Sequence, residues 1–103
     1  MATRFDKFTI KAQEALQGTQ EVASRFGNQH LEPVHLLLAL VEQPEGIVPA
    51  VLQKLGVQAT TVAQETEKAI EALPKVGGTT EHYLSPPLKE VFDQAFKETE
   101  QFK

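Results

Sequence analysis

The sequence predicts an all-α fold, a compact multi-helix bundle, from three observations. Apolar residues recur three or four positions apart over several segments, which is the spacing that lines one face of a helix. Proline and glycine interrupt these segments at intervals typical of helix ends. No segment alternates apolar and polar residues for long, so we expect no sheet.

The first predicted helix follows Thr9, whose hydroxyl can accept a hydrogen bond from an early backbone N–H. It ends at Gly27, which suits the left-handed turn after a helix. Gly18 costs about 1 kcal/mol relative to alanine unless a neighbour packs against it. The inner face consists of apolar and small residues: Phe8, Ala12, Ala15, Leu16, Thr19, Val22, Ala23 and Phe26.

The second predicted helix begins at Pro33, because proline at the first helical position loses no hydrogen bond. Residues 34–41 are apolar on nearly every side, so we expect this helix at the centre of the core. A short third helix is predicted from about Pro49, with Gly56 after its end. Its expected buried residues are Val48, Val51, Leu52 and Leu55.

A fourth helix is predicted to open at Thr60 or Thr61, with a capping box from Thr61 to Gln64, and to end before Pro74. Its inner face is Val62, Thr66, Ala69, Ile70 and Leu73. Residues 74–82 carry turn formers without periodicity and predict an exposed linker. A last helix opens at Ser85–Pro86 and runs to about Phe102. The residues at helical spacing along it are Leu88, Val91, Phe92, Ala95, Phe96 and Thr99.

An internal repeat is indicated by a shift of 76 positions, which sets Thr9 on Ser85 and Leu16 on Phe92. The match falls where a second copy of the four-helix unit would begin. We therefore expect a first repeat at residues 1–75, a linker at 76–84 and the first helix of an incomplete second repeat at 85–103. The chain is then a fragment of a longer domain.

Composition excludes several partners and compartments. The net charge of -4, with acids and bases interleaved, provides no basic stripe, so nucleic acid and anionic membrane are disfavoured. The chain has no cysteine, which removes disulfides, thiolate metal sites and cysteine nucleophiles and suits a reducing cytosol. Because there is no signal-like N-terminus and the apolar run at 36–41 is far shorter than a membrane span, we expect a soluble cytoplasmic protein.

Catalytic and metal-binding motifs are missing from the sequence. It contains no phosphate-binding loop, no dinucleotide fingerprint and no His-Glu-x-x-His metal helix. His30, His35 and His82 lie in a turn, at a helix start and in the linker, without carboxylates spaced to converge on them. We expect no catalytic residue, no metal and no cofactor in this chain, and a small helical enzyme is the least favoured function.

The last helix carries an aromatic stripe formed by Phe92, Phe96 and Phe102. Apolar residues at helical spacing usually face a core, which is the first interpretation. The second is a groove for apolar protein segments, because exposed aromatics anchor partners well. The sequence leaves both open.

Specific strings resemble the Clp N-terminal repeat domain. Residues 6–9 and 27–40 resemble its opening, and the Asn-Gln-x-x-Glu-Pro-x-His-Leu segment that starts at Asn28 is the most specific part. Residues 55–57 and 71–78 resemble the later half of the first repeat in ClpB-type disaggregases rather than in the ClpA or ClpC types. The resemblance implies two four-helix repeats related by a pseudo-twofold axis, tethered before two AAA+ ATPase modules.

The resemblance also implies a function. The domain would engage unfolded or aggregated polypeptide and pass it to an ATP-driven threading ring, in cooperation with the DnaK chaperone system. ATP and magnesium would bind the hexameric parent, not this chain, which would be a monomer or a weak self-associate. The alternative is an adaptor-docking domain of a Clp protease regulatory ATPase.

Three suspected substrate-binding residues follow from the resemblance and from the aromatic stripe. Thr9 matches the family's threonine at the head of the first helix, although an N-cap alone would explain it. Phe92 matches an apolar groove position, and Phe96 lies one turn further along the stripe. Gln94 stands where another family member carries leucine, and the acidic groove residues of the family's sixth helix have no counterpart before Lys103.

Overall fold

The computed structural model describes residues 9–76 and 81–101. The elements within these ranges follow the order α1 (Ile10–Arg25), β1 (His30–Leu31), α2 (Pro33–Glu42), α3 (Ile47–Lys54), α4 (Ala59–Glu71), β2 (Tyr83–Leu84) and α5 (Pro86–Gln101). The predicted all-α class is confirmed. Phe8 and Phe102, predicted for the apolar faces of the first and last helices, lie outside the described residues.

The expectation of no sheet is wrong in one detail. β1 and β2 form a two-stranded parallel sheet, in which His30 pairs with Tyr83 and Leu31 with Leu84. Each strand has two residues, too few for alternation to be visible in the sequence. The sheet joins the turn after α1 to the segment that precedes α5.

Helices α1 and α5 begin in the same way. The Thr9 hydroxyl oxygen accepts a hydrogen bond from the Ala12 N–H at 3.1 Å, and the Ser85 hydroxyl oxygen accepts one from the Leu88 N–H at 3.2 Å. Each helix has 16 residues, and the 76-position shift maps one range onto the other. This agreement is what a repeat would produce, while the domain boundaries themselves stay a prediction.

The main core lies where α1, α2 and α4 meet. Leu38 and Ile70 are fully buried there and pack with Val22 and Ala39. A Cβ built on Gly18 would lie 3.2 Å from the Ala39 Cβ, so glycine lets α1 approach α2 closely. The predicted central position of α2 is confirmed, because α2 packs against α1, α3, α4 and α5.

The predicted buried stripe of α3 is wrong. None of the residues in this helix is buried, and Val51 and Leu55 are 48% and 70% exposed. The helix begins at Ile47, earlier than predicted, and lies on the outside of α2 and α4. No single helix in the described ranges is long and apolar enough to span a membrane; α2 and α3 pass that test only together, with a bend of 80° between them.

The predicted start of α4 is also wrong, by about half a turn. The helix begins at Ala59, and the main-chain oxygen of Gln58 accepts hydrogen bonds from the N–H groups of Thr61 and Val62. Thr61 is therefore already inside the first turn and cannot form the predicted capping box. On the predicted inner face, Thr66 and Ile70 are buried, whereas Ala69 is exposed.

The chain leaving α4 is fastened to the turn after α1. The Val76 N–H donates to the Gly27 oxygen at 2.7 Å, and the Lys75 ammonium donates to the Phe26 oxygen at 2.8 Å. Gly27 has a φ of 73°, the left-handed conformation predicted for it. The start of the predicted linker is thus hydrogen-bonded to the first unit.

A buried histidine joins α2 to both of these segments. His35 is fully buried, and its Nδ1 accepts a hydrogen bond from the Glu32 N–H at 2.8 Å. Its Nε2 therefore carries the proton and donates to the Asn28 side-chain oxygen at 2.9 Å. The Asn28 amide in turn donates to the Pro74 oxygen at 2.8 Å.

This arrangement predicts a loss of stability at mildly acidic pH. Burial is the largest influence on the pKa of His35 and lowers it; Glu32 opposes that effect and His82 adds to it. In the unfolded chain the ring has a pKa of about 6.5, so below that pH the unfolded state binds a proton that the native state excludes. The free energy of unfolding should fall as the pH is lowered from about 7.5 to about 5.5, in urea titrations. A His35→Phe variant should show a smaller decrease, and an unchanged decrease would contradict the assignment.

Candidate functional site

An apolar groove lies between α1, the small sheet and α5. It encloses about 230 Å³ and is lined by Leu16, Gln17, Thr19, Gln20, Leu31, His82, Leu84 and Phe92. We call it the α1–α5 groove. Residues of α1, β1, β2 and α5 contribute to it, so the tertiary fold creates the site.

The floor of the α1–α5 groove is part of a second core cluster. Ala23, Leu31, Leu88 and Phe92 form this cluster, and Leu16 packs against it. Leu31 and Phe92 are only 5% and 4% exposed, so both are packed firmly into this cluster. A floor that is already packed loses little entropy when a ligand binds.

The wall and rim of the groove are more exposed. Leu84 is 36% exposed and is the most accessible apolar residue of the lining. Gln17 and Gln20 are exposed on α1 and can hydrogen-bond a polar ligand group. His82 is held over α1 because its Nε2 lies 3.2 Å from the Ser24 hydroxyl oxygen.

The structure brings only one of the three predicted site residues into this groove. Phe92 lines it, as part of the core rather than as an exposed aromatic. Thr9 is exposed at the start of α1 and its hydroxyl caps the helix, while Phe96 is partly buried on the next turn of α5. Gln94 is exposed in a different, shallow depression of α5 beside Val91. The role of all these residues in binding stays a prediction.

Two apolar lining residues were missed by the sequence analysis. Neither Leu31 nor Leu84 is among the predicted binding residues, and Leu84 falls in the segment 76–84 that was predicted as a linker. No sequence pattern points to these two leucines, because each belongs to a strand of only two residues. Their pairing across the sheet puts both on one face beside Phe92.

The lining of the groove supplies side-chain amides, a hydroxyl and an imidazole beside its apolar side chains. In residues 9–76 and 81–101, no three histidine or carboxylate side chains cluster to hold a metal ion. The Ser24–His82 pair has no carboxylate partner within the same residues to orient the imidazole, which a hydrolytic triad requires. The Tyr83 hydroxyl donates to Glu81, and this hydrogen bond raises the pKa of Tyr83 above its usual value.

A second apolar surface lies on α3. Ile47, Val51 and Leu55 follow one another at intervals of four residues, so they share one side of the helix. Ile47 is 76% exposed and Leu55 is 70% exposed. We call this surface the α3 face.

The described residues thus form a helical bundle with two apolar surfaces, the α1–α5 groove and the α3 face. The family model described as the Clp repeat (R) N-terminal domain matches residues 7–103, and the chain belongs to that family. The resemblance found in the sequence is thereby confirmed.

Relatives named chaperone protein ClpB match most of the chain. The protein of Bdellovibrio bacteriovorus is 39% identical over 91% of this chain and 11% of its own length. That of Bacteroides thetaiotaomicron is 41% identical over 88% of this chain and 10% of its own length, and that of Clostridium tetani is 30% identical over 95% and 12%. The chain therefore corresponds to an N-terminal domain of a Clp chaperone and spans about a tenth of the relatives' length.

Proposed function

We propose that this chain recognises substrates for a ClpB-type disaggregase by engaging unfolded or aggregated polypeptide. The observation that carries the proposal is the α1–α5 groove, with its packed apolar floor of Leu31 and Phe92 and its polar rim. Non-native chains differ from native ones by exposing apolar side chains. A small apolar groove selects that feature without selecting one sequence.

The size of the groove predicts weak and reversible binding. A volume of about 230 Å³ has room for one or two apolar side chains. Burying each contributes about 1.5–3 kcal/mol before the costs of association are subtracted. Several copies of the domain in one assembly would hold a client through multiple such contacts and still release it for threading.

Thr9 and Phe96 remain proposed substrate contacts outside the groove. Phe96 is partly buried and Thr9 is exposed, so each has surface that a client can touch. For the parent protein we propose a cytoplasmic hexameric AAA+ ATPase that uses ATP and magnesium and cooperates with the DnaK system. The relatives' name as chaperones supports this extension.

The proposal is tested by replacing one exposed leucine in the groove and a matched one elsewhere. Leu84→Ser is expected to weaken binding of reduced, carboxymethylated α-lactalbumin about tenfold, because apolar contact area in the groove is lost. Leu55→Ser on the α3 face is the control and should bind as the unchanged chain does. Affinities are measured by fluorescence anisotropy. Equal effects of both substitutions, or no binding by the unchanged chain, would contradict the proposal.

The alternative, docking of a folded adaptor, is favoured by the α3 face. Its exposed side chains Ile47, Val51 and Leu55 lie on a regular helix, which suits a preformed partner surface better than a mobile chain. This alternative would be supported by binding of a small folded partner that Leu55→Ser abolishes and Leu84→Ser leaves intact.

A further inference from the structure

The small sheet has an edge that the rest of the described chain leaves open. The N–H groups of Tyr83 and Ser85 donate to the oxygens of Gln29 and Leu31, at 3.2 and 3.0 Å. Successive main-chain groups of a strand point to opposite edges, so the N–H and C=O of Leu84 point away from β1. Within residues 9–76 and 81–101 these two groups have no hydrogen-bond partner.

The open edge continues the apolar surface of the groove. Leu84 pairs with Leu31, and paired residues of neighbouring strands place their side chains on the same face of the sheet. Leu31 belongs to the groove floor and Leu84 to its wall. A strand added beside Leu84 would therefore direct every second side chain to the groove side of the sheet.

The two residues of β2 carry none of the usual protection against edge pairing. Sheet edges are commonly blocked by charged side chains or proline. Tyr83 and Leu84 are neither, and they are 50% and 36% exposed. Glu81, which accepts a hydrogen bond from the Tyr83 hydroxyl, and Pro86, at the start of α5, lie outside the strand.

We infer that the free edge of β2 accepts an extended apolar segment of a non-native polypeptide as a third strand. The main-chain groups of Leu84 bond to the segment, and one or two of its alternate side chains enter the α1–α5 groove. This inference rests on the proposed function and adds the mode of recognition, since main-chain bonding is independent of client sequence. A second copy of the chain is a poorer occupant, because a two-residue edge buries far less than the roughly 800 Å² per partner of a stable interface.

Backbone methylation of a peptide tests this inference directly. The probes are a short, fluorescently labelled peptide of alternating leucine and serine, the same peptide with N-methyl groups on its central leucines, and a third with them on its central serines. In an extended strand the N–H groups of the leucines face one edge and those of the serines face the other. One methylated peptide is expected to bind about five- to tenfold more weakly, while the other keeps its affinity.

A protein variant and a spectroscopic probe complete the experiment. Leu84→Pro removes the outward N–H while leaving the N–H groups of Tyr83 and Ser85 that bond β1, and it should abolish the difference between the two methylated peptides. The Leu84 amide resonance of the unchanged chain should shift on addition of the unmodified peptide. Thermal unfolding checks that the variant is folded. The comparison of peptides on the unchanged chain does not depend on this variant.

The outcomes separate this inference from the proposed function. If the unmodified and both methylated peptides bind equally, the edge is not the site, although substrate recognition stands. If neither the peptides nor carboxymethylated α-lactalbumin bind, the proposed function itself fails. A dimer of the free chain that Leu84→Pro dissociates would assign the edge to a second copy and overturn the inference.

Discussion

Replacing Phe92 by alanine is expected to lower the free energy of unfolding by about 3 kcal/mol and to loosen α5. Phe92 is 4% exposed and packs in a cluster with Ala23 of α1, Leu31 of β1 and Leu88 of α5. Truncating a buried phenylalanine removes its transfer free energy and leaves a cavity, which together cost about 3–5 kcal/mol. We expect a loss at the lower end of this range because one side of the cluster borders an open groove.

The matched control for this prediction is Val91→Ala on the same helix. Val91 is 42% exposed, so its truncation should change the free energy of unfolding by less than about 1 kcal/mol. Urea unfolding measures both variants, and amide hydrogen exchange locates the effect. Faster exchange in Phe92→Ala should be concentrated in α5 and β2. A change of similar size in the two variants would show that α5 is not anchored by Phe92.

The contacts of α5 also bear on whether the chain unfolds as one cooperative unit. α5 shares a buried cluster with α1 and β1, and β2 bonds β1 just before it. The segment after α4 is itself bonded to the α1 turn through Val76 and Lys75. We therefore expect α5 and the preceding helices to unfold together rather than as a body and a detached helix.

The sequence predicted most of the helices, because local physical chemistry determines their ends. Thr9, Pro33 and Gly27 act at helix ends as capping and turn residues, as the structure shows. The buried stripe of α3 was not predictable in the same way. Periodicity shows that a helix has an apolar side, but not whether a neighbour covers it, and Leu55 is left exposed.

The candidate site was less predictable than the fold. Phe92 could be identified from the aromatic stripe and the family resemblance. Leu31 and Leu84 could not, since they meet through a register between two strands that are each two residues long. The Gly-Gly-Thr-Thr run at residues 77–80 predicted a linker over 76–84, and only the long-range pairing shows that the final part of that segment lines a groove.

Replacing His35 by alanine is expected to destabilise the chain by about 3–4 kcal/mol, the largest effect of any single polar substitution considered. The change leaves a cavity and removes the partners of the Glu32 N–H and the Asn28 side-chain oxygen. Asn28 is 3% exposed, so water cannot readily replace the lost bond. The effect should extend to the chain after α4, because Asn28 also holds the Pro74 oxygen.

Two further variants separate the hydrogen bonds of His35 from its volume. His35→Phe keeps an aromatic ring in the site but makes neither bond, and a loss of about 2 kcal/mol is expected from the groups left unpaired. His30→Ala removes an exposed histidine nearby and should cost less than about 0.5 kcal/mol. All three are compared by urea unfolding at about pH 7.5, where the native ring is neutral. If His35→Phe is as stable as the unchanged chain, the bonds to Glu32 and Asn28 contribute nothing net, and the packing of the ring alone explains why it is buried.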